Sequence, residues 1–389
     1  MRSRTKTTRA QTMRGVALVN WGHEWLTHEA YQHLEASVAE LAERGYQGLV
    51  IDPCPHLIAP NQFGEVREYF YVTLPPAKTF TEANCVRVAP RARLLSLLHL
   101  AKEHELEVWF TSEFLPDSLA RRSFLRKPED FVTAWAETLA YAEQAGVAEV
   151  IKGVDFCYGF PLGNGAHGAH RRVFRRSAFN PVARLLPWSS KHKRNVEEYL
   201  LTVPRALRAL YPRLQYGLTA APGAEPLYHD LSVNELDFFG LALWQDDDVA
   251  FQLSNSVLRT HRIPLEKLRN RAAAQWYALQ QPYWVTQWRE RLVEQLHFCR
   301  QRRLQPLLID GYIRVHEETA YWPWVKTLSA ERVRIAVASG VERMVVSHYT
   351  RPSNEECWRD ITWHQEMTAL IKAGKQALNL DDNEATSSS

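Results

Sequence analysis

The fold of this chain is indicated most directly by one stretch near its middle, Ala148-Glu-Val-Ile-Lys-Gly-Val-Asp-Phe-Cys-Tyr-Gly-Phe160. It has the pattern of a short buried strand, and it ends abruptly in Asp155 and Tyr158. A carboxylate at the end of a buried strand is costly unless it has a partner or a task. The stretch therefore predicts both a strand and a functional residue, Asp155.

Working outward from this strand, the same strand-then-helix unit recurs along the chain. Strands are predicted near residues 15–22, 48–53, 106–114, 148–155, 214–220, 236–244, 305–312 and 342–349. Helical patterns at 29–44, 91–104, 128–145, 195–210, 265–303, 329–339 and 357–373 separate or follow them. Apolar strands that do not alternate are typical of parallel strands buried on both faces. The pattern predicts a single (β/α)8 TIM barrel with long βα loops over residues 14–378, with an open α/β sheet as the alternative.

Composition fits a globular protein with a large core. The 389 residues are 46% hydrophobic and 23% charged, and 47 basic against 44 acidic residues leave a formal charge of +3. This near balance gives no overall field for nucleic acid, so nucleic acid is not predicted as a partner. No run approaches the ~18 apolar residues of a membrane span, so no membrane partner is predicted either. The 13 Trp, 15 Tyr and 15 Phe favour carbohydrate weakly, since aromatic faces also stack on sugar rings.

The cysteines and the termini indicate the compartment. Five scattered cysteines without a CxxC pair predict neither a disulfide framework nor a zinc ribbon. No apolar signal region follows the basic start of the chain, so a cytoplasmic protein is predicted. Residues 1–13 and 379–389 are polar and are expected to be disordered. The sequence carries no signal for the oligomeric state.

Carboxylates and aromatic residues collect at the predicted strand ends. In a TIM barrel the active site lies at the C-terminal ends of the strands. The residues there are Trp21, His23, Asp52, Glu113, Asp155, Tyr158, Trp244, Asp310, Tyr312, His348 and Tyr349. Paired carboxylates beside aromatic rings are the groups that glycoside chemistry uses. Structural alternatives are a turn at Asp52, a core position for Trp21 and an ion pair for Glu113.

Three of these stretches resemble one enzyme clan. Ile151-Lys-Gly-Val-Asp-Phe156 is similar to the strand-four motif of the cellulase-like clan of (β/α)8 glycoside hydrolases, β-mannanase-like branch. Leu236-Asp-Phe-Phe-Gly-Leu-Ala-Leu-Trp244 resembles its strand six, and Pro306-Leu-Leu-Ile-Asp-Gly-Tyr312 resembles its strand seven. The clan has a catalytic Glu on strand four and another on strand seven. In this chain Asp155 and Asp310 stand at or near those positions.

The resemblance implies hydrolysis of a β-linked oligosaccharide by two carboxylates. Asp155 would be the general acid, Asp310 the ionised partner and Glu113 a third candidate. Each Glu-to-Asp shortening withdraws a carboxyl by roughly 1.5 Å. The distance between the two carboxyl groups, ~5–5.5 Å in a retaining pair, could thereby widen toward the ~6.5–9.5 Å of an inverting pair. The alternative is a sugar-binding cellulase-like protein that does not hydrolyse its ligand.

The remaining strand-end residues are predicted to bind the sugar. Trp21, Trp244 and Tyr349 are expected to line the mouth and hold a pyranose ring. The other predicted substrate-binding residues are His23, Asp52, Tyr158, Tyr312 and His348.

Other chemistries have less support, and no cofactor is predicted. A metal-dependent barrel is the least favoured alternative, with His23, Glu113, Asp155, Asp310 and His348 as its possible ligands. No phosphate loop and no Gly-x-Ser-x-Gly elbow are present, and Cys157 lacks a neighbouring His. The segment 163–172 is expected to cover the mouth as a loop. Its arginines and those just beyond it would be solvated or bind an acidic substrate group; they are Arg171, Arg172, Arg175 and Arg176.

Overall fold

The structure is a computed structural model of the chain. It describes residues 15–61, 63–74, 85–163, 167–174, 188–244, 266–310, 322–346, 350–352 and 355–374. The predicted disordered termini lie outside these ranges.

Ten strands occur in the described residues. They are β1 (Val16–Gly22), β2 (Gly48–Ile51), β3 (Phe70–Thr73), β4 (Cys85–Val88), β5 (Glu107–Phe110), β6 (Ile151–Asp155), β7 (Gln215–Thr219), β8 (Phe238–Ala242), β9 (Gln305–Asp310) and β10 (Arg343–Val346). Eight of them close a barrel in the order β1-β10-β9-β8-β7-β6-β5-β2. All neighbours in this barrel are parallel. The predicted TIM barrel is confirmed, and the open sheet is not formed.

Helices connect and surround the strands. They are α1 (Glu24–Thr27), α2 (Leu34–Glu43), α3 (Pro55–Ile58), α4 (Pro90–Glu103), α5 (Pro128–Gln144), α6 (His167–Phe174), α7 (Ser190–Leu210), α8 (Glu266–Arg302), α9 (Trp322–Ala338), α10 (Glu355–Trp358) and α11 (Ile361–Ala373). Helices α4 and α5 begin at a proline. Pro90 and Pro128 occupy first-turn positions, where their fixed φ suits the helix and their missing N–H costs nothing.

The insertion after β2 has structure of its own. Strands β3 and β4 pair there as an antiparallel two-stranded sheet outside the barrel. None of the helices in the described ranges is long and apolar enough to cross a bilayer.

Two apolar clusters show which face of each strand points inward. The barrel interior is filled by seven buried residues, Leu18, Val50, Trp109, Phe238, Leu307, Ile309 and Val345. A much larger cluster lies between the strands and the helices and includes Val19, Val108 and Val154. Because side chains alternate along a strand, residues two positions from the inner cluster also face inward. This alternation decides which strand-end residues reach the mouth.

Candidate functional site

A polar layer lies on top of the apolar barrel interior. A Cβ at Gly153 would come within 2.4 Å of the Trp109 ring, so this position faces the interior. Asp155 lies two residues further along β6 and shares that inward face. Thr111 and Thr219 reach the same layer from neighbouring strands, since both hydrogen-bond to the Asp155 carboxyl. The C-terminal end of the barrel is therefore polar, in contrast to its interior.

Asp155 is held at the centre of this layer. Its Oδ2 accepts hydrogen bonds from the Thr111 hydroxyl at 3.0 Å and the Thr219 N–H at 3.1 Å, and its Oδ1 accepts from the Cys157 N–H at 3.2 Å. The residue is 3% exposed. Burial raises the pKa of Asp155 to about 7, although these hydrogen bonds act in the opposite direction. The carboxyl thus links β5, β6 and β7 and changes protonation near neutral pH.

Asp52 and Glu113 form a second acidic group beside it. The Oδ2 of Asp52 accepts from the Glu113 N–H at 2.8 Å, and its Oδ1 accepts from the Cys54 N–H at 2.7 Å. Asp52 is buried, whereas Glu113 is exposed. Burial raises the pKa of Asp52 to about 6, and the charge of Glu113 adds to the increase. The turn role considered for Asp52 is therefore present, together with a link between the ends of β2 and β5.

The charges of all three carboxyls act on the buried thiol of Cys157. Burial raises the pKa of this thiol well above its ordinary value, and the charges of Asp155, Asp52 and Glu113 raise it further. All three carboxyls therefore lie close enough to Cys157 to influence its ionisation. A thiol with a raised pKa is a poor nucleophile at neutral pH, so this cysteine is unsuited to covalent catalysis.

Two aromatic residues stand at the same end of the barrel. The rings of Tyr158 and Trp244 are stacked, with centroids 6.3 Å apart and planes inclined by 22°. Both residues are partly exposed, and Tyr158 packs on the apolar cluster inside the barrel. The Tyr158 N–H donates to the Ser112 carbonyl at 2.9 Å, which ties this residue to the end of β5. The pair forms an aromatic wall above the barrel interior.

Trp21 is placed differently from the prediction. Its ring is fully buried in the outer core and packs edge-on against Tyr31 at 5.0 Å. In this position it cannot contact a sugar at the mouth. The physical reason is alternation, because Trp21 follows Val19 on the face of β1 that points toward the helices. His23 is partly exposed and occupies the N-cap position of α1 after β1, where its side chain makes no capping hydrogen bond.

Several predicted residues lie outside the described part of the chain. They are Tyr312, His348 and Tyr349. Asp310 ends β9, where its Cα pairs with that of Val346, but its side chain is not among those described. Within the described residues no three His, Cys, Asp or Glu side chains are grouped to hold a metal ion.

Sequence reasoning missed the two threonines that hold Asp155. Thr111 and Thr219 lie at the ends of strands β5 and β7, on either side of β6. The strand register could have suggested them, because Asp155 pairs with Gly217 and Thr219 lies two residues further on the same face.

Comparison with known proteins places this architecture in one family. The chain matches the model of the family described as sugar-binding cellulase-like over residues 18–372. No curated protein matches the sequence significantly.

Solved structures share the fold at low sequence identity. A protein from Parabacteroides distasonis ATCC 8503, provisionally assigned as a glycoside hydrolase, is 20% identical with a TM-score of 0.77, and the match covers 93% of this chain and 94% of that one. An endocellulase from Pyrococcus horikoshii, solved with cellotetraose, is 10% identical with a TM-score of 0.53 over 90% and 92% of the two chains. A glycoside hydrolase family 5 enzyme from Prevotella bryantii B14 is 11% identical with a TM-score of 0.54 over 92% and 96%. At these identities the likeness shows the fold alone.

The family match spans nearly the whole barrel, and the resemblance to the cellulase-like clan drawn from the strand motifs is thereby confirmed. This chain belongs to the sugar-binding cellulase-like family.

Proposed function

We propose that the mouth of the barrel binds carbohydrate. The observation that carries the proposal is the stacked pair of Tyr158 and Trp244 at the same end of the barrel as the carboxyls of Asp52, Glu113 and Asp155. Aromatic rings pack against the C–H faces of a pyranose, and carboxylates accept hydrogen bonds from its hydroxyls. Membership of a sugar-binding family supports this function, as does the cellotetraose bound by the Pyrococcus horikoshii endocellulase.

The roles of the individual residues follow from their exposure. Trp244 and Tyr158 provide apolar contact with the sugar ring. Glu113 is the exposed member of the acidic group, so its carboxylate is the one available to sugar hydroxyls. Asp52 and Asp155 are covered and act below it, holding the ends of β2, β5, β6 and β7 in register. Binding therefore needs no rearrangement of the buried layer.

Hydrolysis of a β-linked oligosaccharide is the second candidate, and the protonation of Asp155 favours it. A general acid must hold its proton near neutral pH, and burial raises the pKa of Asp155 to about 7. In this candidate Asp155 protonates the leaving oxygen, and Asp310, at the end of β9, is the ionised partner. Asp155 is only 3% exposed, with both oxygens hydrogen-bonded. It would have to move to reach a glycosidic oxygen, so binding is the function that the geometry supports best.

Calorimetry and a turnover assay on the same oligosaccharides test the two candidates. A panel of β-glucans, mannans and aryl glycosides would be titrated into the wild type and into Trp244→Ala. We expect binding without turnover, and a loss of ~1–2 kcal/mol of binding free energy in the variant, on the scale of an aromatic contact. The matched control is Trp276→Ala, which removes an exposed Trp from α8 and should leave binding unchanged.

The outcomes separate the candidates. Turnover that falls by orders of magnitude in both Asp155→Asn and Asp310→Asn, with sugar affinity retained, would establish hydrolysis by that pair. Turnover that survives both substitutions would remove the pair from the mechanism. A wild type that neither binds nor cleaves any member of the panel would refute the carbohydrate proposal.

A further inference from the structure

A second cleft lies beside the mouth and is lined largely by charged side chains. Its volume is about 1200 Å³, and its walls are residues 116–130 on one side and α6 with part of α7 on the other. Residues 116–130 follow β5 and α6 follows β6, so both walls belong to the end of the barrel that carries the mouth. None of the predicted catalytic or sugar-binding residues lines this cleft, but Arg171 and Arg172, which were considered for an acidic substrate group, do.

The walls are held together by close packing of α6. A Cβ at Gly168 would come within 2.3 Å of the Leu125 carbonyl oxygen, so only glycine lets the helix backbone approach this loop so closely. The His170 ring contacts the Pro161 carbonyl oxygen at 3.0 Å, and Arg172 binds Glu198 of α7 at 2.7 Å. These contacts fix α6 and leave His167 and Arg171 lining the cleft.

Two arginines, one from each wall, line the cleft. Arg122 comes from the loop wall and Arg171 from α6. Burial lowers the pKa of His167, and the charges of Arg122 and Arg171 lower it further, so both guanidinium groups lie near this ring. In the part of the chain that the structure describes, neither arginine forms an ion pair with a carboxylate. Both therefore have donors available to an anion.

Three of the four carboxylates that line the cleft are already engaged, and the fourth, Glu129, lies exposed in the first turn of α5. Glu198 is paired with Arg172. Asp130 accepts from the Arg126 and Lys127 N–H groups at 2.8 and 2.7 Å, as the cap of α5. Asp117, the carboxylate whose charge acts on Arg122, lies buried and accepts from backbone N–H groups of its own loop. Because these three carboxylates already have partners, they are poorly placed to neutralise the guanidinium groups of Arg171 and Arg122.

An aromatic cleft adjoins the charged one. It has a volume of about 690 Å³ and shares Asp130 with the charged cleft. Phe63 and Phe124 line it and are 77% and 56% exposed. Exposed aromatic rings in a cleft offer apolar faces on which a sugar ring can pack. Phe124 and Arg122 lie on the same 3-10 turn, Arg121–Phe124, and line the aromatic and the charged cleft respectively.

We propose that the charged cleft binds the carboxylate or sulfate group of an acidic oligosaccharide between Arg122 and Arg171, while Phe124 contacts the neighbouring sugar ring. This proposal rests on the carbohydrate function proposed for the mouth and names the class of sugar. Guanidinium groups bind planar carboxylates and sulfates through paired N–H donors, and a charge-assisted hydrogen bond is stronger than a neutral one.

Calorimetry with three oligosaccharides of one length tests the proposal: a uronic-acid oligosaccharide, a sulfated one and a neutral one. We expect the wild type to bind at least one acidic ligand about tenfold or more tightly than the neutral one, with an affinity that falls as salt is added. Arg122→Gln and Arg171→Gln should each remove most of this preference without changing the affinity for the neutral sugar. Arg359→Gln, which changes an exposed arginine of the loop after α10, is the matched control and should retain the preference.

The arms of the experiment distinguish the two proposals. If neutral and acidic oligosaccharides bind equally, or if both arginine variants keep the preference, the charged cleft is not an anion site, while the mouth proposal stands. If no oligosaccharide binds but free glucuronate or sulfate binds in an Arg171-dependent way, the anion site stands and the carbohydrate proposal fails. A greater affinity for the uronic-acid ligand than for the sulfated one would identify carboxylate as the group that is recognised.

Discussion

The buried carboxyl of Asp155 should make the protein less stable as the pH rises. In the folded protein its pKa is raised from 3.8 to about 7, with burial as the main cause. The folded state therefore keeps a proton that the unfolded chain releases above pH 4. The stabilising contribution of Asp155 is fully present below its pKa in the unfolded chain. It is lost progressively as the pH rises to its pKa in the folded protein.

The size of this loss follows from the two pKa values. Between pH 5 and pH 8 the linkage relation gives a decrease of about 2–3 kcal/mol in the free energy of unfolding from Asp155 alone. Asp52 acts in the same direction, because its pKa is raised to about 6. Replacing Asp155 by Asn removes the ionisation but leaves one N–H of the amide facing a backbone N–H donor. At pH 5 the free energy of unfolding of the variant should therefore be about 1–3 kcal/mol lower than that of the wild type. At pH 8 it should equal or exceed the wild-type value.

Urea unfolding at several pH values between 5 and 8 measures this effect. The observable is the transition midpoint together with its slope, for the wild type, for Asp155→Asn and for Glu366→Gln. Glu366→Gln changes an exposed carboxylate of α11 and should follow the wild-type curve. A wild type that is equally stable at both ends of this range, or an Asn variant that loses stability as steeply as the wild type, would show that Asp155 is not protonated as proposed.

Three further substitutions test the packing around the site. Thr111→Val removes a hydroxyl that lowers the pKa of Asp155 and should steepen the loss of stability with pH; an unchanged urea profile would contradict this. Gly153→Ala places a methyl group 2.4 Å from the Trp109 ring and should cost about 1–3 kcal/mol in urea unfolding, so a neutral result would mean that the ring has room to move. Trp135→Phe removes an indole N–H that donates at 2.9 Å to the carbonyl just beyond β6 and should cost about 1–3 kcal/mol, whereas a thermal midpoint equal to that of the wild type would count against this bond.

The sequence was sufficient to predict the barrel and the end of it that carries the site. Eight apolar runs, all but one followed by a helical pattern, specify parallel strands because both faces of such strands are buried. This signal is local, since it depends on the period and length of each segment. The segment that forms β3 and β4 was predicted only as part of a long βα loop, because its pairing joins residues on opposite sides of residues 75–84.

The tertiary structure decided what each strand-end residue can touch. Asp155 was predicted from its burial cost, but its partners Thr111 and Thr219 come from strands more than forty residues away. Trp21 and Trp244 look alike in the sequence, yet one is buried in the outer core and the other stands partly exposed beside Tyr158. Burial and hydrogen bonding depend on strand register and on the facing helix, and neither is encoded in a single segment.

The charged cleft likewise depends on contacts between segments that are distant in the sequence. The arginines of α6 were noticed in the sequence as residues that are either solvated or bind an acidic group. The approach of Gly168 to the Leu125 carbonyl places Arg171 in the same cleft as Arg122, which comes from a loop almost fifty residues earlier in the chain. Local pattern thus determined the fold of this protein, whereas long-range packing decided which of its charges face one another.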